Sequence, residues 1–144
     1  LTGRCMWQRA TRGVYLSIAV QAAGFVIDAL WHGVLSPGAE PATTADMAIH
    51  LATIHLVFYV GVLGLFASMV RALIDYGMRR PGGGALVIAF VGAVVQAAGE
   101  TWHAVSHLRL RGTPTPEFVA YGGLVVAVAA FFFARRSSGY SHSG

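Results

Sequence analysis

The chain has 144 residues, of which 56% are hydrophobic and 11% charged, with a formal net charge of +4 and a mean hydropathy of +0.62. A soluble domain carries about 25% charged residues, so this composition excludes an ordinary soluble enzyme, and the length leaves room for one compact domain. Lysine is absent, and the arginines sit in short clusters between apolar runs without interleaved aromatics, which is the pattern of a membrane topology signal and excludes a nucleic-acid partner.

The first apolar run extends from Gly13 to Leu35. Arg4, Arg9 and Arg12 precede it, as in a signal peptide. The run is too long for a typical signal core, has no clear small-x-small cleavage site and contains Asp28 and His32, so it reads as a retained helix. Cys5, the single cysteine, precedes it and cannot close an internal disulfide. The second run extends from Met47 to Leu73, the third from Ala85 to Leu108 and the fourth from Phe118 to Ala134. Crossing a hydrocarbon core of ~30 Å takes about 20 helical residues. Backbone groups in lipid have no water partners, so the runs are expected to be helices. Ser36-Pro37-Gly38 with Pro41, Arg80-Pro81-Gly82-Gly83-Gly84, and Gly112-Thr113-Pro114 with Pro116 mark the connections. The expectation is an all-α integral membrane four-helix bundle over residues 1–136, followed by a disordered polar tail over 137–144.

Arginines gather in the N-terminal segment, in the second connection (Arg71, Arg79, Arg80) and at the C-terminus (Arg135, Arg136). The first connection carries Glu40 and Asp46 and no arginine, while the third is a mild exception with Arg109 and Arg111. The positive-inside rule therefore places both termini in the cytoplasm and the first and third connections outside. Gln21-Ala22-Ala23-Gly24 in the first run recurs as Gln96-Ala97-Ala98-Gly99 in the third. On this alignment Asp28 matches His103 and His32 matches His107, and the pattern reads as two duplicated helical hairpins.

Ionisable residues in membrane helices are costly and persist where they are paired, wet or functional. At 100° per residue, Asp28 and His32 share one face of the first helix, and Glu100, His103 and His107 share one face of the third. His55 and Tyr59 share a face of the second, and Glu117 and Tyr121 of the fourth. Asp28, His55 and Glu100 are expected roughly 10–12 Å below the outer boundary, with His32, His50, His103 and His107 nearer the surface. Glu100-x-x-His103 presents a carboxylate and an imidazole together, as in di-metal carboxylate bundles, and Asp28-x-x-x-His32 presents a similar pair. The expected metal ligands are Asp28, His32, His55, Glu100, His103 and His107. His50 and His55 lie about 140° apart on a continuous helix, so both are not expected at one ion, and His50 reads equally well as a cap. His32 and His107 also have an interfacial reading. An acid at Glu117 suits the start of a helix.

This donor set fits one or two transition-metal ions, iron or copper first, then zinc or manganese. The expected function is a metal-dependent membrane oxidoreductase of oxygenase type, acting on a lipophilic substrate that arrives through the lipid. Tyr59 or Tyr121 would serve as a hydrogen-bond or proton donor. A b-type cytochrome with two axial histidines and a metal or proton transporter are the alternatives. Membrane lipids are the immediate partners, and a homo-oligomer or a larger membrane complex suits so short a chain.

Overall fold

A computed structural model describes residues 3–37, 41–78 and 80–139. Helix α1 (Gly3–Leu30) continues directly into one π turn, Trp31–Leu35, closed by the Ser36 N–H donating to the Trp31 carbonyl at 2.8 Å. Then follow a short helix α2 (Thr44–Thr53) and three long ones: α3 (Leu56–Tyr76), α4 (Gly83–Leu108) and α5 (Thr115–Gly139). No strand occurs among the described residues. Four segments, Trp7–Leu35, Leu56–Tyr76, Gly83–Leu108 and Thr115–Ser138, are long and apolar enough to cross a membrane. The all-α four-helix membrane bundle expected from the sequence is the observed architecture.

One span departs from its expected limits. The apolar run from Met47 to Leu73 is divided between α2 and α3, with the helix interrupted at Ile54 and His55. Thr43 caps α2 by accepting the Asp46 N–H at 3.1 Å, and its hydroxyl donates to Asp46 Oδ2 at 2.7 Å. Ten residues make a helix about 15 Å long, too short to span a membrane. The crossing is left to α3, and α2 packs against α3 and α4. The fourth helix is longer than expected and carries Ser137 and Ser138 within it; the expected disorder of residues 140–144 lies outside the described residues.

The α3–α4 turn shows how breakers act locally. Gly77 and Gly82 both adopt positive φ, +81° and +86°, which side chains rarely tolerate. The Tyr76 hydroxyl donates to the Pro81 carbonyl at 2.5 Å and ties the turn to the end of α3.

The two hairpins pack by one shared pattern. Helix α1 lies along α3 and α4 along α5, with α3 against α4 joining the pairs. Gly61 of α3 sits where any Cβ would collide with the Gln21 backbone and the Ser17 carbonyl of α1. Gly123 of α5 stands in the same relation to Gln96 and to the Gly92 carbonyl of α4. Gly24 meets the Phe58 backbone, and Gly99 meets Ala120. Small residues allow these close approaches, which is how apolar helices associate when no hydrophobic force drives them together in lipid. One constant shift carries buried Leu65, Met69 and Ala72 of α3 onto buried Ala127, Phe131 and Ala134 of α5. Between the hairpins the Gln96 amide donates to Gln21 Oε1 at 2.6 Å, joining matched residues 75 apart. The Gln21 amide in turn donates to the Gly61 carbonyl at 3.2 Å.

Beyond this pair, toward the end where α1 begins, the core is mostly apolar: Trp7, Val14, Leu65, Met69, Leu86, Ala89 and Phe131 pack together, with Thr11 and Ser17 buried on the same helix. The outer surface carries Leu16, Phe25, Leu63, Ile88, Val125 and Phe133, each more than half exposed. So extended an exposed apolar belt is foreign to soluble monomers and fits a lipid-facing surface.

Candidate metal centre

The end of the bundle where α1 and α4 finish and α3 and α5 begin collects the described histidines and most of the described acids. Asp28 lies on the last turn of α1, and His32 follows it into the π turn. Asp28 Oδ1 stands 3.5 Å from His32 Nε2 and 3.3 Å from His55 Nε2. His50, on the last turn of α2, places its ring centroid 5.2 Å from that of His32 and 5.2 Å from that of His55. Asp28, His32, His50 and His55 each offer one donor atom, and these four atoms lie within 4.8 Å of one another. His50 and His55 are 8% exposed, and the Asp28 and His32 side chains about a third.

The interrupted helix explains the presence of His50. On a continuous helix it would point away from His55. The break at Ile54 and His55 reorients α2, and both imidazoles turn to the same space, contrary to the expectation that both would not serve one ion. Asp28 Oδ1 and His55 Nε2 are buried and make no aligned hydrogen bond despite their 3.3 Å separation. Burying such groups unsatisfied is costly, and a cation between them would satisfy both. The break also corrects the depth of His55: it precedes the first residue of α3 instead of lying about two turns inside a span.

The remaining expected residues lie beside this cluster. His103 and His107 of α4 have ring centroids 4.3 Å apart, and each is 6.1 Å from the His55 ring. His103 Nδ1 is 3.5 Å from Glu117 Oε1 on the first turn of α5. Glu100 is buried on α4 and outside the four-residue cluster. Tyr59 stacks on His55 at 5.9 Å with its hydroxyl buried and unpartnered, whereas Tyr121 is 39% exposed. His32 is a member of the cluster, and the His107 ring lies 6.1 Å from that of His55.

Sequence reasoning left His50 open between ligand and cap and read Glu117 only as a helix-opening acid. The sequence does contain a pointer to the second: Tyr59-x-Gly61 recurs as Tyr121-x-Gly123, which sets His55 in register with Glu117. Nothing comparable marks His50. With the geometry in place, comparisons of the chain with protein-family models, curated proteins and solved structures find no match. Four membrane-length helices and a partly buried His/Asp cluster thus define the class: a chain fit to span a membrane and compatible with a metal site.

Proposed function

We propose that this chain is an integral membrane metalloprotein whose metal centre lies at the extracytoplasmic end of the bundle. It carries out redox chemistry of oxygenase type on a lipophilic substrate, alone or as a subunit of a larger membrane complex. The observation that carries this reading is the convergence of Asp28, His32, His50 and His55, from four consecutive parts of the chain, with donor atoms within 4.8 Å of one another.

Mixed imidazole and carboxylate donors suit iron or copper and also accept zinc or manganese. Bound there, such an ion would supply dioxygen activation or electron transfer. The chain's own groups would orient it: Asp28 brings negative charge, the imidazoles bring directional donors, and the buried Tyr59 hydroxyl, whose ring stacks on His55, would donate a hydrogen bond. A substrate dissolved in the bilayer reaches the centre laterally, since α1 and α3 are lipid-facing on their outer sides.

Two features weigh against the other chemistries. A haem plane between His55 and His103 needs the space near both rings that His107 occupies. A transport path needs polar groups through the bundle, and beyond Gln21 and Gln96 the buried core is mostly apolar, with Thr11 and Ser17 as buried polar side chains among the described residues.

The test is elemental analysis and optical spectroscopy of protein purified without chelator after growth in iron, copper, zinc or manganese. At least one ion per chain is expected, with a spectrum that changes between dithionite and air. No bound ion under any supplementation overturns the metal reading. A Soret band replaces it with a cytochrome, and zinc alone removes the redox part.

A further inference from the structure

The repeat that organises the hairpins reaches into the metal centre. The shift that carries Gln21 to Gln96 also carries Asp28 to His103 and His32 to His107. The shift that carries Gly61 to Gly123 carries His55 to Glu117 and Tyr59 to Tyr121. Both registers come from backbone packing, independently of the ionisable residues.

The geometry at the site follows those registers. In the first hairpin an acid on α1 faces a histidine at the N-cap of α3: Asp28 and His55, 3.3 Å apart. In the second a histidine on α4 faces an acid on α5: His103 and Glu117, 3.5 Å apart. Acid and imidazole have exchanged helices, yet the pair is kept. One turn further on each first helix stands another histidine, His32 beside Asp28 and His107 beside His103. Each second helix carries a tyrosine one turn after its paired residue. A helix dipole accounts for an acid at Glu117, but not for a buried histidine facing it or for the tyrosine in step. Each half thus holds one carboxylate and two imidazoles; His50 adds to the first, and buried Glu100 lies one turn before His103 on α4.

We infer that the centre is two pseudosymmetric half-sites, and that His103, His107 and Glu117, with Glu100 alongside, hold a second divalent transition-metal ion. This rests on the metal reading above and extends it to a dinuclear centre. The half-sites meet at His55, whose ring is 6.1 Å from those of His103 and His107, so the two ions are neighbours. Paired ions are a common arrangement for chemistry that neither ion performs alone.

The test is titration of the chelator-stripped full chain, in detergent or nanodiscs, with Co2+ as the optical probe and elemental analysis for stoichiometry. Wild type is expected to bind two Co2+ per chain. His103→Ala combined with Glu117→Gln is expected to bind one, and so is Asp28→Asn combined with His55→Ala. The isosteric Glu117→Gln variant alone is expected to weaken one binding phase and leave the other, with helix content and elution volume unchanged. Wild type binding a single Co2+ overturns the second site and leaves the first standing. Two ions in wild type, both retained in His103→Ala with Glu117→Gln, also overturn it. No binding by wild type overturns both readings.

Discussion

His50 and Asp28 carry the sharpest expectations at the level of single residues. His50 lies in the four-atom cluster, and its removal takes away a donor. His50→Ala is expected to lower affinity for the first ion by about tenfold or more, the order seen when shells around metals are disturbed. A cap or packing residue would instead change thermal stability and leave affinity as it was, so isothermal titration beside a melting curve separates the two. Asp28→Asn keeps the shape and removes the negative charge facing both His32 and His55, and a larger loss of affinity is expected. Protons compete with a cation for imidazole nitrogens, so ion release on acidification is expected. The sign is fixed by the donor set: metal content measured after dialysis at falling pH should decrease, and content that rises or holds through mildly acidic pH would contradict imidazole ligation.

Among the elements, the glycine contacts make the hairpins and set the height at which the ligands meet. Gly61 and Gly123 occupy matched positions against Gln21 and Gln96. A leucine at either would push the helix pair apart, and overpacking of this kind costs about 1–3 kcal/mol. Gly61→Leu and Gly123→Leu are expected to destabilise by similar amounts in denaturation from mixed micelles. A large effect at one and none at the other would break the equivalence of the hairpins. The interruption between α2 and α3 has no glycine or proline to announce it. Thr53, whose hydroxyl donates to the Ile49 carbonyl at 2.8 Å, is the nearest local feature, and such back-bonding bends helices only weakly. The π turn after Leu30 contains Gly33 and carries His32, and π turns of this kind often occur where a helix serves a site.

At the scale of the whole molecule, charge sets orientation. The arginine distribution predicts cytoplasmic termini and an outward metal centre. In a Cys5→Ser background, Thr43→Cys is expected to react with a membrane-impermeant maleimide in intact cells, and Arg136→Cys only after permeabilisation. The reverse pattern would move the centre to the cytoplasmic side. Thr43 and Arg136 are exposed in the fold, so lack of labelling in both conditions is not expected.

The helical class, the four crossings and the matching of the first and third runs were determined by the sequence itself, because hydropathy and helical periodicity are local properties summed over about 20 residues. The gathering of histidines and acids at one end was legible for the same reason: positions along a helix translate directly into depth. The tertiary structure decided which side chains share a space. That depended on the interruption at His55, which turned His50 inward, and on glycine contacts between distant segments, which set Glu117 against His103. Such contacts arise between residues tens of positions apart, where no local propensity acts.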